Sequence, residues 1–248
     1  MMASFYGKAA DPFSGGRQVF MHGCYPNLNI YNPSNVVGSQ LPQAVGAALA
    51  TKMLGEDRVV IVYFGDGGSS QGECHEAMNF VGIHKLPVIF FCENNGLAIS
   101  VPQCQQMSGE SLARRAAGYG FPGVQVDGSD LLAVYEATCE AATRARRGDG
   151  PTLIEAKVAR LMPHTTDDSD RYRKPEEVKF LRATADPLKK LKALLEKEGL
   201  LDEAAEEEMV QWGRQVAEEA TAYAEAAPWP EVTELGKHVY WEGSGKTA

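Results

Sequence analysis

The chain has 248 residues, enough for one large α/β domain with a sizeable core, and carries 24 lysines and arginines against 33 aspartates and glutamates. The formal net charge of −9, with no lysine/arginine run, argues against nucleic acid or an anionic membrane surface as the main partner. No apolar stretch approaches a transmembrane length, the N-terminus lacks the basic-then-apolar order of a signal peptide, and five cysteines without CxxC spacing read as packing thiols in a reducing cytoplasm.

In chain order, residues 1–31 are rich in glycine, aromatics and asparagine, show little periodicity, and read as an irregular arm. Residues 32–40 are a polar loop feeding a helix. Pro42 sits near the first turn of that helix, where a missing N–H costs nothing, and Leu41, Val45, Ala48 and Leu49 recur at helical spacing. The run Val59-Val60-Ile61-Val62-Tyr63-Phe64 is short, apolar and β-branched, as a buried parallel strand should be. It ends in Gly65-Asp66-Gly67-Gly68. Ser70-Gln71-Gly72-Glu73 then has capping-box spacing and opens a helix. A second strand, residues 88–92, ends at Glu93-Asn94-Asn95-Gly96.

Residues 100–106 read as a loop in which Pro102 blocks helix, and residues 111–117 as a short helix. A third strand, residues 124–126, leads to a helix capped by Ser129 or Asp130, with Leu131, Val134, Tyr135, Thr138 and Ala142 as its apolar face. Arg144, Arg146 and Arg147 suit its negative end, and residues 152–158 form a fourth strand. The repeated βα pattern predicts a doubly wound, parallel α/β sheet. Residues 160–173 are charged with both signs and lack periodicity, so a surface loop with a solvent-facing His164 is the default. The strand end beside it borders the crevice where ligands of open α/β sheets bind. Residues 175–201 and 202–227 are two helical stretches, the first packing through Leu188, Leu191, Leu194 and Leu195. Trp229 and Trp241 either meet a partner subunit or fold back on their own domain. The boundaries are thus an arm at 1–31, an α/β domain at 32–175, and a helical extension of the same domain at 176–248.

Two strand ends converging on one crevice give a definite chemistry. Asp66 offers a hard anionic oxygen, Asn95 an amide oxygen, and the turn at Gly96-Leu97 a main-chain carbonyl. Three such oxygens suit Mg²⁺, which completes its octahedron with water and phosphate oxygens. Gly67 and Gly68 let backbone N–H groups approach an anion, and a helix N-terminus faces the same place. Together these suggest a diphosphate. Taken singly, a GDG is an ordinary turn and an NN an ordinary strand end; a strand before each, with one helix between, is more specific.

That joint pattern, within Tyr63-Phe64-Gly65-Asp66-Gly67-Gly68 and Glu93-Asn94-Asn95-Gly96, resembles the thiamine-diphosphate motif. The wider stretch, residues 15–173, resembles the alpha subunit of the decarboxylating dehydrogenase of 2-oxo acid dehydrogenase complexes, the branched-chain type most of all. The resemblance implies thiamine diphosphate with Mg²⁺ held by Asp66, Asn95 and the Leu97 carbonyl, and the diphosphate met by Gly65, Gly67 and Gly68. It places Val37 at the aminopyrimidine, and Ser34, Val36, Ser39 and Gln40 around a potassium ion; a plain helix cap is the other reading of that loop. His164 falls on the catalytic histidine and Arg160 on a position ordering the 160–173 loop beside the cofactor.

It further implies a small 2-oxo acid substrate, acyl transfer to a lipoyl-bearing acyltransferase, and a beta subunit, two of each, supplying the glutamate beside the aminopyrimidine. Family members carry a helical segment with a tyrosine–arginine pair before this point. No such pair precedes Asp11, so the sequence reads as a fragment or a short form. Glu93 stands where some relatives place an arginine on the diphosphate, and Leu97 where tyrosine is frequent. The alternatives are a pyruvate or acetoin dehydrogenase alpha subunit, and a truncated, non-catalytic assembly module.

Overall fold

A computed structural model describes residues 1–18, 22–32, 35–237 and 239. Contacts divide the chain into a larger unit, Val36–Leu201, and a smaller one made of Met1–Asn35 and Asp202–Ala248. The sequence reading instead drew its boundaries after residues 31 and 175.

In the larger unit the chain forms α1 (Gln40–Met53), β1 (Val60–Gly65), α2 (Gly72–His84), β2 (Val88–Asn94), β3 (Gly123–Asp127), α3 (Leu131–Arg146), β4 (Thr152–Lys157), α4 (Pro175–Thr184) and α5 (Pro187–Lys197). The four strands pair in parallel in the order β1-β2-β4-β3. Parallel neighbours need a crossover, and α2 supplies it between β1 and β2. The chain then passes over the β4 position to β3 and returns to β4 through α3. Reversing direction along the sheet sends the crossover to the opposite face, because such connections are right-handed.

Alternation along the strands sorts the core accordingly. Val62, Phe64, Val88, Phe90, Cys92 and Leu153 face α1 and α2, burying Leu41, Val45, Ala48, Met78 and Val81. Ile89, Phe91, Ile154 and Ala156 face the other way, toward Ala141 of α3. The fold is the doubly wound parallel α/β sheet expected.

Several local expectations are corrected. Of the expected α3 face, Val134 and Ala142 pack against the core but Leu131 and Tyr135 are 52% and 65% exposed; Ala137, Ala141 and Ala145 turn inward in their place. Small side chains let that helix lie close on the sheet. Its cap is Asp130, whose carboxylate accepts from the Leu132 and Ala133 N–H groups. Ser70 forms no capping box: Gly68–Ser70 is a 3-10 turn, so α2 starts at Gly72 with Gln71 before it and no side-chain cap. Gln103–Gln106 is a helical turn, since Pro102 is its N-cap, where proline does no harm. Residues 111–117 yield a 3-10 helix at Ala113–Tyr119.

The first C-terminal stretch splits in two, because Asp186 caps a new helix and Pro187 occupies its first turn. Leu191, Leu194 and Leu195 are half-buried there, but Leu188 is exposed. Of the cysteines, Cys74 and Cys92 are buried packing thiols, whereas Cys104 and Cys139 are exposed. Burial pushes the Cys74 thiol up to about 11 and raises that of Cys92 as well.

The smaller unit is built on α6 (Glu203–Ala226), whose N-cap Asp202 accepts from the Ala205 N–H. The arm is not wholly irregular, for it holds a helical turn at Met2–Phe5 and an antiparallel ribbon pairing Gly23–Tyr25 with Ile30–Asn32. Lys8 donates to the carbonyls of Glu225 and Ala227, at 3.2 and 3.0 Å, a cation on the open carbonyls at the end of α6. The same ammonium lies 4.1 Å from the Trp229 ring centroid. Trp241 lies outside the described residues, as does Ser34 of the expected cation site.

Candidate active site

The register of β1 against β2 pairs Gly65 with Glu93, so the residues leaving both strands emerge side by side at the carboxyl edge. Asp66 is 2% exposed. Its Oδ1 accepts the Asn95 N–H at 3.3 Å and its Oδ2 accepts Gln106 Nε2 at 2.9 Å. Burial pushes the carboxyl above its ordinary range, against the pull of its own N–H, of those two bonds and of the Lys157 charge. A desolvated carboxylate of this kind gains from a cation. The Asp66 carbonyl accepts both the N–H and the hydroxyl of Ser69, at 3.1 and 2.6 Å, which tightens the glycine turn beneath it.

Asn95 folds into an Asx turn, its Oδ1 accepting the Leu97 N–H at 3.0 Å. Leu97–Ala98 pairs with Val101–Pro102, and the residue opposite Leu97 is Pro102, which has no N–H to give the Leu97 carbonyl. Asn94 is buried and points elsewhere, donating to Glu155 Oε1 at 2.6 Å while its own Oδ1 accepts the Gly96 N–H at 2.9 Å. Glu155 is fully buried, and its other oxygen accepts Ser111 Oγ at 2.7 Å and the Ala113 N–H at 2.9 Å. Burial pushes that carboxyl up, but these donors and Lys157 at 3.6 Å outweigh it, and it lies below the ordinary range.

In the glycine turn, a Cβ on Gly67 would stand 2.9 Å from the Ala98 Cβ, so this glycine lets the turn and the ribbon approach. Gly65 and Gly68 meet nothing closer than 3.6 Å, so their own chain does not demand glycine there. The nearest neighbour of a Cβ on Gly68 would be Val37, which is itself 58% exposed.

The 160–173 loop is fastened at Arg160, which donates to the Ile99 carbonyl at 2.8 Å and to the Tyr172 hydroxyl at 2.5 Å. Asp168 gathers the His164 N–H at 2.9 Å, the Asp170 N–H at 2.9 Å and the Tyr172 hydroxyl. The Tyr172 bond foremost, then those two N–H groups, hold its carboxyl down at about 2. Arg173 grips Asp170 with two bonds of 2.6 Å each. The His164 side chain is exposed.

This arrangement meets its relatives in sequence. Residues 1–233 match the family described as "Dehydrogenase E1 component". The chain belongs to the dehydrogenase E1 component family. It is 47% identical over 241 residues to the 2-oxoisovalerate dehydrogenase subunit alpha of Bacillus subtilis, covering 97% of this chain and 73% of that one. To the mitochondrial 2-oxoisovalerate dehydrogenase subunit alpha of Homo sapiens it is 40% identical over 242 residues, 97% of this chain and 54% of the human one. To the pyruvate dehydrogenase E1 component subunit alpha of Bacillus subtilis it is 42% identical over 216 residues, covering 86% and 58%. The chain thus spans roughly half to three quarters of the length of these relatives.

In this E1 component chain Asp66, Asn95 and Leu97 come together with Gly67, while Val37 lies beside Gly68 and Arg160 reaches the same hairpin through Ile99. Of the expected cation loop, Ser39 Oγ donates to the Val36 carbonyl at 2.9 Å and Gln40 Nε2 to the Tyr63 carbonyl at 3.1 Å. Among the described residues no three His, Cys, Asp or Glu side chains cluster as a metal site. Sequence reasoning passed over Gln106, Glu155 and Ser111. Gln106 sits in what read as plain loop, and a glutamate inside an apolar strand was the one available signal for Glu155.

Proposed function

We propose that the chain is the alpha subunit of a thiamine-diphosphate-dependent 2-oxo acid dehydrogenase acting on a branched-chain 2-oxo acid. The observation that carries this is the meeting of a buried, cation-seeking Asp66 with the Asn95 backbone at adjoining strand ends. Between two relatives from Bacillus subtilis, the 2-oxoisovalerate dehydrogenase subunit alpha at 47% identity over 97% of this chain, against the pyruvate dehydrogenase subunit alpha at 42% over 86%, supports the branched-chain choice over pyruvate. They also weigh against a non-catalytic assembly module.

The residues present fit the cofactor. Asp66, the Asn95 amide oxygen and the Leu97 carbonyl would hold Mg²⁺ by hard oxygens, with the remaining positions left to water and phosphate. The turn at Gly65, Gly67 and Gly68 would take the diphosphate, using space at Gly65 and Gly68 that no side chain of this chain claims. Val37 would meet the aminopyrimidine. When bound, thiamine diphosphate supplies the nucleophilic carbon and the electron sink for decarboxylation. Arg160 holds the 160–173 loop to the ribbon, and the exposed His164 would stabilise developing charge and assist acyl transfer to a lipoyl arm. A potassium ion at Val36, Ser39 and Gln40 is supported by the resemblance alone.

A beta subunit, in a two-alpha two-beta assembly, would complete the site with a carboxylate, and a lipoyl-bearing acyltransferase would receive the product. Five unbridged cysteines support work in the cytoplasm. The test is reconstitution with a beta subunit, calorimetry with thiamine diphosphate and Mg²⁺, decarboxylation assays on branched-chain oxo acids and pyruvate, and an assay of acetaldehyde release from acetoin. Heat of binding and preference for the branched-chain acids are expected. No heat with or without the beta subunit would favour the assembly module.

A further inference from the structure

The segment from Gln103 to Ala113 has both feet on β4 and its middle on Asp66. At one foot Gln103 Oε1 accepts Lys157 Nζ at 3.2 Å. At the other, Ser111 Oγ and the Ala113 N–H donate to Glu155 at 2.7 and 2.9 Å. Between them Gln106 Nε2 donates to Asp66 Oδ2 at 2.9 Å. The terminal torsion of an aspartate is broad and two-fold, so one hydrogen bond leaves its carboxylate free to swing. Asp66 has a donor on each oxygen, the Asn95 N–H on Oδ1 and Gln106 on Oδ2, and two donors at different oxygens fix the plane.

We propose that Gln106 is a positioning residue for the Asp66 carboxylate, and that the 103–113 segment is a strap whose anchors on β4 decide where the Gln106 amide stands. The inference rests on the reading of Asp66 as a magnesium ligand. Gln106 does not touch the metal; it presets the ligand, so that binding does not have to order it. Outer-shell donors of this kind are worth about 10–100-fold in metal affinity.

The test is a Mg²⁺ titration by calorimetry, in saturating thiamine diphosphate, of the full chain assembled with its beta subunit. Gln106→Leu, similar in bulk but without a donor, is expected to weaken Mg²⁺ binding about 10–100-fold. The metal-free protein loses one hydrogen bond to a buried carboxylate, so its melting temperature is expected to fall by roughly 3–12 °C, with a single cooperative transition retained. Gln103→Leu, which loosens one foot, is expected to give a smaller loss that vanishes in the Gln106→Leu background, because it acts through the same amide. Wild-type affinity in Gln106→Leu, or tighter binding, would overturn the proposal. So would a loss accompanied by a non-cooperative metal-free melting transition, or full additivity of the two substitutions. A wild-type protein that takes up thiamine diphosphate without any Mg²⁺ dependence would instead overturn the magnesium reading, and this inference with it.

Discussion

Replacing Glu155 by glutamine keeps the shape of the side chain and removes only its charge and half its accepting capacity. The carboxylate is fully buried and takes four contacts, from Asn94 Nδ2 at 2.6 Å, Ser111 Oγ at 2.7 Å, the Ala113 N–H at 2.9 Å and Lys157 Nζ at 3.6 Å. They fall two on each oxygen, so an amide NH₂ must face donors whichever way it is turned. Facing Asn94, it orphans a buried amide; facing Ala113, it orphans a buried N–H, while the Ser111 hydroxyl can rotate. Hydrogen bonds to a charged group are worth about 1.5–3 kcal/mol each, and breaking a buried charged network costs about 3–5 kcal/mol. Glu155→Gln should therefore destabilise the chain by about 3–5 kcal/mol, a melting shift of roughly 6–20 °C at 2–4 °C per kcal/mol.

Urea denaturation of the full chain should show a lower midpoint at unchanged slope. The dependence on pH follows from the lowered folded-state carboxyl, where the donors outweigh burial. The contribution is complete above the unfolded value of about 4.3 and is lost as pH falls through the lower folded value, so wild type and variant should converge in acid. A Glu155→Gln midpoint equal to wild type at neutral pH would refute the account of this network.

Three further outcomes are expected. Gly67→Ala would put a Cβ 2.9 Å from that of Ala98, pushing the Leu97–Ala98 ribbon away; Mg²⁺ affinity should fall about tenfold, as for a displaced ligand, and unchanged calorimetry would count against the ribbon as a metal contact. Asp168→Ala removes the acceptor that holds the His164 N–H and the Tyr172 hydroxyl, so proteases should nick the 160–173 loop faster. Because the Asp168 carboxyl sits near 2, the wild-type loop should keep its protection from neutrality down past the unfolded value of about 3.9, losing it as pH approaches 2; loss already at pH 5 would contradict this. His164→Ala should bind cofactor as wild type does while slowing lipoyl acylation at least about 100-fold, and normal turnover would remove the histidine from the reaction.

The parts legible in the sequence were those with a strong local signal. Four short strands, the glycine turn at Asp66 and the asparagine pair at Asn95 stand where their pattern puts them. Only β2 and β4 are buried on both faces, however. β1, read as a buried strand, lies at the sheet edge and alternates buried with exposed residues, and β3 at the other edge is largely exposed. Failures came where tertiary contact decides. The α3 face was read from helical spacing as Leu131, Val134, Tyr135, Thr138 and Ala142; Val134 and Ala142 do pack, yet close approach to the sheet favours alanines, and Leu131 and Tyr135 are left outside. The Ser70 capping box had the right spacing, but the hydroxyl and N–H of neighbouring Ser69 turn back to the Asp66 carbonyl and delay the helix. Gln106 reaches across 40 residues to Asp66, and no period or motif announces such a bond.

Ile99 has a left-handed backbone, φ 54°, at the tip of the ribbon that begins with Leu97. A branched residue pays for that conformation, and its carbonyl is the one Arg160 takes hold of. Two surface segments some sixty positions apart in the chain therefore share a single fastening. Transplanting either from a cousin without its counterpart would leave a cocked turn unlatched, and the slack would travel straight to the oxygen next door.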